Sequence, residues 1–140
     1  MRKVVNLDLH PINSSNDYLN FCKKKLKNTS VLQLDNFLKP KSLINIQKEA
    51  DFLHPQAYYC SQKHTVLLSQ KNNDLDNDDP CNIEVESNKG CIPHDLIPYN
   101  SDLIYLYNSS DFIKFLEIVL GVNKIYPYKD PLSSINYNYY

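Results

Sequence analysis

Two asparagines near the end of the sequence have the spacing of residues that line a polar pocket. In a β-strand, successive side chains point to opposite faces, so over 135–140 the amides of Asn136 and Asn138 share one face with Tyr140. Amides are costly to bury unless they meet hydrogen-bond partners. The segment therefore predicts a strand whose polar face lines a ligand pocket. The same alternation allows one alternative, the exposed polar face of an edge strand.

Four side chains in the middle of the chain are of types that bind zinc, namely Cys60, His64, Cys81 and Cys91. Zinc usually takes thiolate and imidazole ligands from closely spaced pairs in tight turns. Cys81 and Cys91 are too far apart in sequence to form such a pair. This spacing favours the alternative, in which the cysteines are small, partly buried side chains and His64 belongs to a pocket or to the surface.

Another histidine, His94, is followed directly by Asp95 and has the composition of an oriented general base. Hydrolases pair such a base with a nucleophilic serine or cysteine that lies between a strand and a helix. The sequence shows no nucleophile in that context. We therefore expect His94 and Asp95 to order a loop.

Length and charge limit the classes of function. A chain of 140 residues is long enough for one core, and its net charge of -1 lacks the basic excess typical of nucleic-acid-binding proteins. No stretch approaches the roughly 20 apolar residues of a membrane span, and the first residues lack the apolar run of a signal peptide. These observations predict a cytoplasmic protein with free thiols and with neither nucleic-acid nor membrane partners.

The spacing of apolar residues alternates between helical and strand periods, which predicts a mixed α+β fold. Helices are expected from Ser14 or Ser15 onward, from Pro40 to Pro55, and over 109–120. Strands are expected over 5–9, 31–38, 66–68, 125–126 and 135–140. The segment 70–80 is dense in Asn and Asp, which predicts a surface loop.

The order of these segments resembles the N-terminal half of iron(II)- and 2-oxoglutarate-dependent oxygenases of the amino-acid hydroxylase and halogenase group. The resemblance runs from about Asp17 onward. Its most specific part is 125–138, in which Ile-Tyr-Pro-Tyr-Lys-Asp-Pro-Leu precedes Ile-Asn-Tyr-Asn. The other matching segments, in chain order, are 31–38, 50–59, 94–98, 103–107 and 112–121.

The resemblance implies a single domain over 1–140 that forms part of a double-stranded β-helix, or jelly roll, incomplete at its C-terminus. Helical support would come from 14–54 and from the helix at 109–120, and 124–140 would begin the barrel. Oxygenases of this group use 2-oxoglutarate and ferrous iron, and they hold the iron with a His-x-Asp or His-x-Gly motif and a distal histidine.

The resemblance also implies roles for five residues. Asn136 and Asn138 would face the 2-oxoglutarate cofactor or the substrate, and His64, His94 and Asp95 would lie on the substrate side. The sequence contains neither His-x-Asp nor His-x-Gly, so none of its histidines is assigned to the iron. Ferrous iron and 2-oxoglutarate are thus expected in a complete enzyme and not on this chain alone.

Two hypotheses follow from the sequence. In the first, the chain is the N-terminal fragment of a dioxygenase that acts on a small amino-acid-like substrate and is inactive by itself. Its partner would be a complementing C-terminal half or a second copy bound through an open sheet edge. In the second, the chain is a non-catalytic, small α+β binding or interaction module.

Overall fold

The computed structural model describes residues 1–67 and 69–140 and has an α+β architecture. The described residues form four α-helices and one three-stranded antiparallel sheet. The helices are α1 (Asn16–Thr29), α2 (Pro40–Leu53), α3 (Asp102–Tyr107) and α4 (Ser110–Leu120), and the strands are β1 (Tyr58–Thr65), β2 (Glu84–Ile92) and β3 (Tyr137–Tyr139). Short 3-10 turns lie at His54–Gln56, Pro80–Asn82 and His94–Leu96.

Helix α1 begins where the sequence predicts a capped amphipathic helix. The Ser15 side chain accepts a hydrogen bond from the backbone N–H of Tyr18, which satisfies one of the free donors of the first turn. Ser30 ends the helix in a left-handed conformation, with φ of 57°. Leu19 and Cys22 form the buried stripe.

Helix α4 confirms the helix expected over 109–120. Gly121 terminates it at φ of 70°, a conformation that residues with a Cβ rarely adopt. Phe115 and Val119 are buried and pack against α1, so the two helices share one core. That cluster of buried residues is Val5, Ile12, Leu19, Cys22, Phe115 and Val119.

The sheet has the order β1-β2-β3, with β2 in the centre. Tyr58 of β1 pairs with Cys91 of β2, and Cys91 pairs with Asn138 of β3. Among the described strands, the outer edges of β1 and β3 have no neighbour. Most of the β1–β2 hairpin is exposed on both faces, and its buried residues lie at its ends, with Thr65 at one end and Gly90 and Ile92 at the other. Ile92 packs with Leu53 of α2 and with Ile135.

Three of the strand predictions are wrong. The segments 5–9 and 31–38 meet only at a single bridge between Val5 and Leu38. Asn36 has φ of 56°, and this left-handed residue interrupts the extended conformation that 31–38 would need. The segment 125–126 forms no strand.

The strand expected over 66–68 is not formed at residues 66 and 67. Val66 and Leu67 lie in a turn, and position 68 falls outside the described residues. The segment 70–80 lacks regular structure up to the 3-10 turn at its end, as its composition indicates. Of the expected barrel segment 124–140, only β3 is a strand.

The structure therefore shows an α+β fold but not a jelly roll, because the described residues form an open sheet of three strands. Its strands are joined by antiparallel pairing throughout. Among residues 1–67 and 69–140, no helix has the length and apolar character needed to cross a membrane.

Candidate functional site

The aromatic side chains of β3 face α2. The hydroxyl of Tyr137 donates to Oε1 of Glu49, and the hydroxyl of Tyr139 donates to the carbonyl oxygen of Ala50, both at 2.6 Å. The Tyr139 ring also stacks on the ring of His54, with centroids 4.3 Å apart. These contacts fix which face of the sheet α2 covers, and they confirm the alternation expected over 135–140.

Burial and nearby charge raise the pKa values of both phenols. Burial raises the pKa of Tyr137, and its hydrogen bond to the Glu49 carboxylate raises that pKa further. Burial likewise raises the pKa of Tyr139, with a smaller contribution from the charge of Asp51. Glu49 Oε1 accepts a second hydrogen bond from Ser101 Oγ, also at 2.6 Å. The carboxylate therefore links α2, α3 and β3.

The opposite face of the sheet, which we call the open face, carries Asn138 and the residues paired with it. Asn138 lies beside Cys91 and Tyr58, and Lys89 follows on the same face two residues along β2. Asn136 precedes β3, and its Oδ1 accepts a hydrogen bond from Asn138 Nδ2 at 2.8 Å. Both amides are exposed, so they can donate to a ligand without first losing a buried partner.

His64 does not join these amides. It lies at the far end of β1, paired with Val85, and its Nδ1 bonds to the carbonyl oxygen of Thr65 at 2.8 Å. Six residues separate it from Tyr58 along the strand, which corresponds to roughly 20 Å. The structure therefore does not bring His64 and Asn138 into one site.

His94 lies beside the segment that leads into β3. Its Nδ1 is 2.5 Å from the hydroxyl oxygen of Ser134. The backbone N–H of Asp95 donates to the carbonyl oxygen of Pro131 at 2.9 Å, while the Asp95 side chain is exposed. His94 and Asp95 thus hold two loops together, in agreement with the loop-ordering role expected from the sequence.

The turn that presents Ser134 is organised by Asp130. Its Oδ1 accepts the backbone N–H groups of Leu132 and Ser133, each at 2.8 Å, and the Ser133 hydroxyl at 3.0 Å. These three donors favour the ionised carboxylate, so the pKa of Asp130 lies below its ordinary value. The Ser134 N–H donates to the Asp130 carbonyl oxygen.

The zinc-type residues do not assemble. Within the described ranges, no three His, Cys, Asp or Glu side chains are placed to hold a metal ion. Cys60 and Cys91 are half-buried on the open face, whereas Cys81 is exposed in the 3-10 turn before β2. The neighbouring Asp79 carboxylate raises the pKa of the Cys81 thiol, through a hydrogen bond and through its charge.

Sequence reasoning missed the partner of His94 and the anchor of β3. Ser134 and Glu49 stand 40 and 88 residues from the groups that they bond, and no local spacing indicates such pairs. Lys89 was missed because β2 was not expected as a strand. Once β2 is known, alternation from Cys91 places Lys89 on the open face.

A shallow groove of about 290 Å³ has Ser134 among its lining residues. Helices α3 and α4 supply most of its wall, and the segment before β3 completes it. Its lining residues are Leu103, Leu106, Tyr107, Phe112, Ser134, Ile135 and Asn136.

No protein-family model matches this sequence, and no curated protein or solved structure is significantly similar to it.

Proposed function

We propose that this chain forms the N-terminal part of an iron(II)- and 2-oxoglutarate-dependent oxygenase, an oxidoreductase that hydroxylates or halogenates a small amino-acid-like substrate. In this proposal α1, α2 and α4 support a jelly roll to which β2 and β3 belong. The proposal rests on the resemblance of the segment order and on the α+β architecture, in which helices back an antiparallel sheet.

The observation that carries the proposal is the difference between the two faces of β3. Tyr137 and Tyr139 attach one face to α2, while Asn136 and Asn138 are exposed on the other side. A barrel wall needs this division, because its outer face packs on supporting helices and its inner face meets a polar ligand. Lys89 adds a positive charge to the same open face, which favours an anionic ligand.

The resemblance implies two ligands, 2-oxoglutarate and ferrous iron, and the described residues suit only the first. The carboxylates of 2-oxoglutarate accept hydrogen bonds from amide N–H groups, so Asn136 and Asn138 fit this molecule. Ferrous iron is not fitted, because residues 1–67 and 69–140 hold no set of three potential ligands. We therefore assign no residue of this chain to iron and no reaction step to an iron-bound species.

Among the described strands, the outer edges of β1 and β3 have no neighbour, which supports the accompanying proposal on partners. Free backbone N–H and C=O groups on an edge strand can pair with another strand. The pairing strand would come from a complementing C-terminal half, or from a second copy of this chain.

A non-catalytic α+β binding module is the second candidate function. One observation favours it: among the described residues, every buried side-chain nitrogen and oxygen atom has a hydrogen-bond partner. These side chains need no second chain to satisfy their hydrogen bonds, which is consistent with a module that displays its open face to a ligand.

Succinate formation from 2-oxoglutarate distinguishes the two candidates. The assay compares this chain with the same chain extended along its own reading frame, each supplied with ferrous iron and a mixture of free amino acids. We expect background succinate from the chain alone and turnover from the extended polypeptide. Turnover by the 140-residue chain would contradict the proposal that the iron ligands lie outside it, and absence of turnover from both polypeptides would favour the binding module.

A further inference from the structure

One pair of side chains outside the open face has the geometry of a nucleophile and its base. The hydroxyl oxygen of Ser134 lies 2.5 Å from Nδ1 of His94, and both side chains are only half-buried. A nucleophilic serine requires a base within hydrogen-bond reach of its hydroxyl. This pair meets that condition, and the groove of about 290 Å³ provides a place for a reactant beside it.

The backbone on both sides of the pair is held by hydrogen bonds. His94 begins a 3-10 turn that is closed by the bond from the Ile97 N–H to the His94 carbonyl oxygen. Ser134 ends the turn that Asp130 organises, and the bond from the Asp95 N–H to Pro131 joins the two turns. The distance between nucleophile and base therefore does not depend on the His94–Ser134 bond alone, which is the preorganisation that a reactive centre needs.

The residues that line the groove include one further hydrogen-bond donor, the Asn136 amide. Asn136 lines the groove with Ser134, and its Oδ1 is occupied by the bond from Asn138. Its Nδ2 group has no acceptor among the described residues, so both of its N–H bonds are free. An amide N–H directed at an oxyanion is one of the usual forms of transition-state stabilisation in acyl transfer.

We propose that Ser134 is a nucleophile activated by His94 and that it reacts with small esters carrying an apolar acyl group. The Ser134 oxygen forms a bond to the acyl carbon, and the bond from that carbon to the alcohol oxygen breaks. Nδ1 of His94 takes the serine proton and delivers it to the departing alcohol. Water then attacks the acyl-serine with the help of the same nitrogen, which releases the carboxylic acid and restores the hydroxyl.

The groove determines the class of acyl group. Its wall is mostly apolar, being formed by leucine, isoleucine, phenylalanine and tyrosine side chains. Its volume lies just below the range of typical small-molecule sites, about 300 to 1,000 Å³. A short aliphatic acyl chain fits both properties, whereas a charged or long acyl chain does not.

Labelling of the full chain by an ethyl fluorophosphonate probe tests this proposal. The Ser134 oxygen would form a bond to phosphorus, the phosphorus–fluorine bond would break, and fluoride would leave while His94 takes the proton. Intact-protein mass and peptide mapping identify the labelled residue. We expect one label, located on Ser134 and absent from Ser134→Ala. The matched control is Ser14→Ala, which removes an exposed hydroxyl outside the turn that Asp130 organises and should label at the wild-type rate.

A second variant separates a reactive pair from a structural hydrogen bond. In His94→Gln the amide can still bond to the Ser134 hydroxyl, but it cannot accept the proton. We expect labelling and p-nitrophenyl butyrate hydrolysis to fall by about 100-fold or more, with an unchanged melting temperature. Wild-type labelling in His94→Gln would overturn the proposal, as would labels spread over several serines or no label on Ser134. Succinate formation does not depend on Ser134, so the succinate assay tests the oxygenase proposal independently of the labelling result.

Discussion

Removing the Tyr137 hydroxyl tests how β3 is anchored to α2. In Tyr137→Phe the ring remains, so no cavity forms, and only the bond to the Glu49 carboxylate is lost. A hydrogen bond to a charged group contributes about 1.5 to 3 kcal/mol. Glu49 keeps its bond from Ser101, so its charge is not left unpaired, and we expect the lower part of that range. The predicted loss of unfolding free energy is about 1.5 to 2 kcal/mol.

Urea denaturation followed by far-ultraviolet circular dichroism measures this loss. The control is Tyr140→Phe, because that hydroxyl belongs to a side chain that is 95% exposed. We expect the control to change stability by less than about 0.5 kcal/mol. Equal stability of the two variants would refute the assignment of the helix-covered face, and with it the position of the open face.

The pH dependence of the same pair gives an independent check. Because the folded-state pKa of Tyr137 is raised, its contribution is complete below the ordinary tyrosine pKa of about 10 and is lost as the pH rises above it. The stability difference between wild type and Tyr137→Phe should therefore be constant from pH 7 to 9 and narrow above pH 10. A stability difference that widens above pH 10 would contradict the raised folded-state pKa of Tyr137.

Three further predictions concern the core, a thiol and the sheet edge. Phe115→Ala should lower the free energy of unfolding by about 3 to 5 kcal/mol, whereas Phe52→Ala, at a side chain 77% exposed, should change it by less than about 0.5 kcal/mol in the same urea titration. Cys81 should react faster with iodoacetamide at pH 8 in Asp79→Asn than in wild type, because loss of the carboxylate lowers the raised thiol pKa. An equal rate would exclude Asp79 as the cause of the raised Cys81 pKa. Tyr58→Lys, on the edge strand β1, should reduce concentration-dependent self-association in light scattering, and unchanged association would exclude this edge.

The sequence predicts the elements whose signals are local. Ser15 and Gly121 provide the cap and the terminator of α1 and α4, and the apolar stripe of each helix repeats every three or four residues. The two faces of 135–140 were also predictable, because one face carries tyrosines that can pack and hydrogen-bond while the other carries amides.

The β1–β2 hairpin could not be predicted in this way. Most of its residues are exposed on both faces, so no alternation of apolar and polar side chains marks the strands. The backbone pairing from Tyr58–Cys91 to Thr65–Glu84 holds them together instead. Conversely, 31–38 alternates like a strand, but the left-handed Asn36 interrupts it and only a single bridge, from Leu38 to Val5, pairs it with another segment.

The candidate site was predictable only in part. Asn136 and Asn138 follow from the period of the strand, since neighbours in sequence are neighbours in space there. The separation of His64 from these amides depends on the register of β1 with β2, and the contact of His94 with Ser134 depends on how two distant loops meet. Neither is encoded in a short segment.

The dependence of succinate formation on 2-oxoglutarate concentration in the extended polypeptide tests whether the open face of β3 binds this cofactor. Asn138→Ala removes one carboxylate donor from the open face, whereas Asn88→Ala removes an exposed amide from the opposite face of β2. We predict that Asn138→Ala raises the KM for 2-oxoglutarate by about 5-fold to 30-fold, corresponding to a loss of about 1 to 2 kcal/mol, and that Asn88→Ala leaves it unchanged. An equal KM in wild type and both variants would contradict the proposal that the open face of β3 binds 2-oxoglutarate.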